Sequence, residues 1–174
     1  MTDTATTADA ERWLVDHLRV DAQMRGLLPG FRHAGLSGLL LAYGRLFDPA
    51  PWPGGGTPPG EPGRCYTEAV SWAWASEGEL AYVEGMAWDL VYPVEHAWCS
   101  TPEGAVRDLT WPRPGRAYLG IPVRAEAATQ IMAERGPLLY AAEGMGSTLA
   151  MEWARDGIPA ELLVDVGRPI PTDD

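Results

Sequence analysis

Three side chains able to do covalent acyl chemistry fall in one stretch of the chain: the thiol of Cys65, the imidazole of His96 and the carboxylate of Asp108. A thiolate attacks a carbonyl carbon, an imidazole takes the thiol proton and returns it to the leaving group, and a carboxylate orients the imidazole and stabilises its charged form. Residue type alone does not make a site, since free cysteine is among the most buried residues and a histidine in a strand is usually packing. What lifts these three above that ordinary reading is the local structure each one occupies.

From Cys65 to about Ser76 the composition is helical, with Ala69, Val70, Ala73 and Trp74 available for packing and Glu77-Gly78 near the stop. Cys65 therefore opens a helix, where unpaired backbone N–H groups and the positive end of the dipole favour the thiolate. His96 belongs to a short strand over Val94–Cys99 and Asp108 to another over Ala105–Trp111. The link Thr101-Pro102-Glu103-Gly104-Ala105 suits a three-residue hairpin loop, with a type I turn at Pro102-Glu103 and a left-handed Gly104. In that register even-numbered residues face even-numbered ones, so His96, Trp98, Asp108 and Thr110 share a sheet face and Asp108 sits diagonal to His96. A two-residue loop would throw Asp108 to the other face, so the triad depends on this turn. Glu95 and Cys99 have the opposite parity, which argues against a Cys65–Cys99 disulfide. A zinc site needs more ligands than Cys65, His96, Cys99 and Asp108 present from one face, and no cofactor is called for.

Tyr66, Glu84 and Trp98 are the candidates for the substrate pocket. Tyr66 follows the nucleophile, Glu84 lies in the neighbouring strand Ala81–Trp88, and Trp98 shares the face of His96. His17 and His33 lack a comparable setting and read as structural.

Around this segment, Asp9–Met24 reads as an amphipathic helix with Trp13, Leu14, His17, Leu18 and Asp21 on one side, and Ala34–Phe47 as a core helix carrying Leu36, Leu39, Leu40, Tyr43 and Leu46. Residues 48–63 hold six prolines and three successive glycines, which no helix or interior strand sustains, so they form a long surface loop, a lid or an arm, leading to Cys65. Ala117–Val123 is a strand, Arg124–Arg135 and Thr148–Arg155 are helices, and Glu161–Val166 is a last extended piece before the acidic tail Pro169–Asp174. The 174 residues suit a single domain spanning 1–174, with its core at about 60–123 and helical additions at both ends.

The composition narrows the chemistry further. A formal net charge of −11 speaks against nucleic acid or an anionic membrane and for a neutral or basic substrate. Lysine and asparagine are absent, which excludes a Schiff base and a Cys-His-Asn arrangement. Two cysteines and no secretory-type start make the expected location the reducing cytoplasm.

The blocks Gly63-Arg64-Cys65, Tyr82-Val83-Glu84-Gly85-Met86, His96-Ala97-Trp98 and Asp108-Leu109-Thr110-Trp111 resemble, in order, the G-x-C, Y-V-x-G-Y, H-A-W and D-P-T-W blocks of the transglutaminase-like core. The likeness covers about residues 60–123 and extends to small actinobacterial and phage proteins with an E-H-A-W block. It departs from the family at Leu109, usually proline, at Met86, usually aromatic, and in having no Gln ahead of Cys65 as an oxyanion donor. The resemblance implies an α+β, papain-like fold in which the nucleophile helix packs on an antiparallel sheet, with Cys65 as nucleophile, His96 as base and Asp108 as orienting acid.

The expected function is hydrolysis or acyl transfer on an amide, ester or thioester through an acyl-enzyme, with a small-molecule or peptide substrate. Two alternatives stand beside it: a non-catalytic binding protein on the same scaffold, and a biosynthetic acyltransferase using a carrier-bound thioester.

Overall fold

The structure, a computed structural model, describes residues 6–89, 92–141 and 146–172. It mixes helices with one antiparallel sheet. Helix α1 spans Thr7–Arg25 and opens with a capping box, in which the Thr6 side chain accepts from the Asp9 N–H and the Asp9 carboxylate accepts from the Thr6 N–H. Its buried side is Ala10, Leu14, Val15 and Leu18. The stripe read from the sequence is thus rotated: Trp13 is 44% exposed and meets Trp88 at 5.8 Å with its ring tilted by 47°, and His17 is exposed.

Helix α2 covers Gly35–Tyr43, shorter than the expected Ala34–Phe47. Gly44 donates to the Leu40 carbonyl and then turns extended, which frees Arg45–Phe47 to become strand β1. Leu46 and Phe47 then serve opposite faces of the sheet, one buried in each of its two apolar clusters. Helical spacing could not separate Leu46 from the stripe before it, because an apolar residue fits either period.

After the Pro/Gly segment come α3 (Cys65–Ala75), β2 (Ala81–Trp88), β3 (Pro93–Ser100), β4 (Val106–Arg107) and β5 (Ala117–Val123). Helices α4 (Ala125–Arg135) and α5 (Thr148–Asp156) follow, and β6 (Arg168–Pro169) closes the order β4-β3-β2-β5-β1-β6. β6 lies in the stretch read as tail and pairs with β1 at the sheet's edge, where a proline without an N–H is tolerated. Each pairing between neighbouring strands is antiparallel. Among the described residues no helix is long and apolar enough to cross a membrane.

Alternation along the strands separates two cores. Tyr82, Ala97, Cys99, Leu119 and Ile121 pack with Leu14 and Leu18 of α1, Leu39 and Leu40 of α2, and Ala69 and Ala73 of α3. Phe47, Val83, Ala87, Trp98, Val106 and Tyr118 form the second cluster, on the other face. Across that face His96 pairs with Gly85, and Gly85 with Gly120. A methyl group at Gly85 would strike the Leu119 carbonyl, and one at Gly120 would come within 2.8 Å of the Trp98 ring. This bare strip lets Trp98 lie flat beside His96.

The hairpin follows the expected turn. Gly104 donates to the Thr101 carbonyl at 2.9 Å, Thr101 donates to the Ala105 carbonyl at 3.0 Å, and Gly104 has φ +88°. Cys99 faces Arg107 and Ser100 faces Val106, odd against odd and even against even. The strand expected over Ala105–Trp111 is cut to two residues for a definite reason. Asp108 Oδ1 accepts from the backbone N–H groups of Thr110 at 3.0 Å and Trp111 at 3.1 Å, an Asx turn that peels the chain off the edge.

The Pro/Gly loop is tied down along that same edge. Asp48 donates to Gly104 and accepts from Val106, Gly60 donates to Leu109 at 2.8 Å, and Trp52 meets Trp72 of α3 edge-on at 5.5 Å. Glu161–Val166, expected extended, is instead a single 3₁₀ turn at Ala160–Leu162 followed by one bridge from Leu163 to Val123.

Candidate active site

His96 is held by its strand, its stacking partners and one carboxylate. The imidazole is 2% exposed, and its Nε2 lies 2.7 Å from Asp108 Oδ2. An ionised carboxylate can only accept, so Nε2 carries the hydrogen and donates it. The ring of Trp111 stacks on the imidazole at 4.3 Å and 23°, and Trp98 stacks further off at 6.2 Å.

Asp108 uses both oxygens. Oδ1 takes the two turn N–H groups, and Oδ2 takes His96 and the Tyr118 hydroxyl, the latter at 3.0 Å. Tyr118 in turn accepts the Gly115 N–H at 2.8 Å, which fixes its own orientation. Burial alone would raise the Asp108 carboxyl, but the bonds from His96, Thr110 and Trp111 outweigh it and hold the group below its ordinary value. For His96 burial is again the largest influence and disfavours the cation. The hydrogen bond to Asp108 and the charges of Asp108 and Cys65 overcome it and push the imidazole up to about 9. A buried imidazolium flanked by two acids is the result.

Cys65 is the first residue of α3 and is half-buried. Its side chain lies close enough to His96 to raise the imidazole, without closing a hydrogen bond to it among the described residues. With Nε2 committed to Asp108, Nδ1 is the ring nitrogen left for the sulfur. No side chain caps α3, and the N–H groups of Cys65, Tyr66 and Thr67 have no acceptor among the described residues. Such a helix start leaves N–H donors open to an anion.

The structure therefore brings Cys65, His96 and Asp108 together and sets Tyr66 beside them. The Tyr66 phenol is raised chiefly by burial and then by the charges of Glu84, Cys65 and Glu95, and its ring packs against the helix-side core. The other two pocket candidates are enclosed in packing rather than lining a cleft. Glu84 is fully buried and spends its carboxylate on the N–H groups of Leu138 (2.8 Å), Leu139 (2.7 Å) and Tyr140 (3.1 Å) and on the Tyr82 hydroxyl (2.8 Å). Burial raises it above the ordinary carboxylate range even against these four donors. It anchors the 138–140 segment to β2. Trp98 is fully buried in the second core, edge-on to Phe47 and Tyr118, and its Nε1 has no acceptor among the described residues.

Cys99 donates to the Ala69 carbonyl at 3.1 Å on the helix side of β3, and burial pushes its thiol up to about 12. Tyr118 and Trp111 were not singled out by the sequence as site residues. Trp111 had a signal, its place three residues after Asp108; Tyr118 had none, because its contact depends on how β5 registers against β2. Neither a protein-family model, nor a curated protein, nor a solved structure matches this chain.

Proposed function

We propose that the chain is a cysteine-nucleophile enzyme that transfers or hydrolyses acyl groups, on a papain-like core of the transglutaminase type. The support is twofold: the four sequence blocks that resemble that core, and a thiol at a helix start close to an imidazole that a buried carboxylate holds. The carrying observation is the 2.7 Å His96–Asp108 bond, buried from solvent, with Cys65 near enough to raise the same imidazole.

In this reading His96 Nδ1 takes the Cys65 proton, and the sulfur attacks the carbonyl carbon of an amide, ester or thioester. The resulting oxyanion meets the free N–H groups at the start of α3. The tetrahedral adduct collapses as His96 returns the proton to the leaving group, which leaves a thioester on Cys65. Water or an amine then attacks that thioester while His96 takes its proton, and the thiol is released with that proton. Asp108 stays ionised throughout and stabilises the imidazolium.

Intact-mass spectrometry after rapid acid quench tests this with an aryl ester, an amide and a carrier-type thioester. The expected result is an acyl adduct on Cys65 that is lost in Cys65→Ala and strongly slowed in His96→Ala. Loading by the thioester alone favours the biosynthetic acyltransferase. No loading by any acyl donor, with the fold intact, favours a binding protein.

A further inference from the structure

On the helix side of the sheet, opposite the face of His96, lies a cavity of about 600 Å³ between α1, α2, β2, β3 and the 138–140 segment. Leu36, Leu40 and Met86 form an apolar flank. Its charged residues are not balanced. Arg25 is committed to Asp21 at 2.7 Å, and Asp21 also accepts the Ser37 hydroxyl at 2.6 Å, so that pair is satisfied within itself. His17 stands beside the same Asp21.

Glu95, by contrast, has no hydrogen-bond or ion-pair partner among the described residues, and partial burial raises its carboxyl. Tyr140, 3% exposed, also lines the cavity, and its buried hydroxyl has no partner among the described residues. Its backbone is anchored at the cavity by the Glu84 carboxylate. A buried hydroxyl left unpaired costs about 1–3 kcal/mol, part of which a ligand N–H donating to its oxygen recovers. The remaining anion and the unfilled acceptor therefore ask for the same thing: a cation with N–H donors.

We infer that this cavity is a recognition pocket for an aliphatic arm ending in an ammonium or guanidinium, with Glu95 as its counter-charge and the Tyr140 hydroxyl as its acceptor. That the ligand is a substrate rests on the acyl-transfer reading. The arm is a recognition element rather than the reacting group, because Glu95 and His96 are neighbours in β3 and point to opposite faces. Tyr66 links the two places, lying within the fields of both Cys65 and Glu95. The chain's net charge of −11 draws such a ligand in.

Calorimetric titration of the Cys65→Ala protein separates binding from turnover. The probes are the Nα-acetyl methylamides of arginine and lysine against those of citrulline and norleucine. The cationic probes are expected to bind about tenfold tighter than the neutral ones, about 1.4 kcal/mol. Glu95→Gln removes that advantage without moving the thermal midpoint, and Tyr140→Phe reduces affinity for the cations several-fold. Equal binding of arginine and citrulline probes, or an advantage that survives Glu95→Gln, overturns the assignment. A cation preference in a protein whose wild-type Cys65 never loads an acyl group sinks the enzyme reading and leaves the pocket; acyl loading without the preference does the reverse.

Discussion

Replacing Asp108 by Asn keeps the shape of the side chain and removes its charge, which isolates what the carboxylate does for His96. The imidazole stands at about 9, against an ordinary 6.5. At about 1.4 kcal/mol per pH unit, that gap is about 3 kcal/mol of preference for the imidazolium, won against the burial of a ring only 2% exposed. Without the charge, burial acts unopposed by Asp108 and the imidazolium is lost at neutral pH. A loss of about 3 kcal/mol lowers the population of the reactive thiolate–imidazolium pair by about 10²-fold. Iodoacetamide alkylation followed by intact mass reads this directly. At pH 7 the Asp108→Asn protein should react about 10²-fold more slowly at Cys65 than wild type. Cys99, buried and pushed up to about 12, serves as the internal unreactive thiol. A variant rate within twofold of wild type at pH 7 refutes the reasoning.

Stability should also depend on pH through His96. Its folded value lies above its unfolded one, so its contribution is whole below about 6.5 and is lost as pH rises through about 9; denaturant unfolding should show a fall of up to about 3 kcal/mol across that window, absent in His96→Gln. Glu84→Gln puts an amide donor against a carboxylate site with four donors already pointing at it, and should cost about 3 kcal/mol or more in urea unfolding; a cost below about 1 kcal/mol contradicts the anchoring role. Tyr118→Phe takes one donor from Asp108 Oδ2 and leaves the Gly115 N–H unpaired, so it should destabilise by about 2 kcal/mol while raising the His96 midpoint. A lower midpoint would show that Tyr118 does not share the charge of Asp108.

The site was legible where the chain is local and illegible where it is not. Pro102, Glu103 and Gly104 set a turn whose geometry follows from residue type, and the turn alone carried the His96–Asp108 contact. Ala117–Val123 announced itself as a strand with both ends placed. Glu84 could not be read from sequence, because its partners are backbone groups more than fifty positions away at Leu138–Tyr140. Trp98 shared the face of His96 as expected, yet whether that face met solvent or a second core depended on Phe47 and Tyr118 arriving from β1 and β5. The boundary at Gly44 and the two-residue β6 were likewise decided by pairing across the sheet, which overrode the local helical pattern in one case and gave no local pattern in the other.

Nitrogen-15 NMR of the imidazoles tests the central claim most directly, since the chain has three histidines and their signals separate readily. One imidazole, assigned by its loss in His96→Gln, should remain doubly protonated through pH 8 and titrate at about 9, with a midpoint that drops once Cys65 is alkylated. An imidazole that titrates near 6.5 and is indifferent to modification of the thiol would contradict the account.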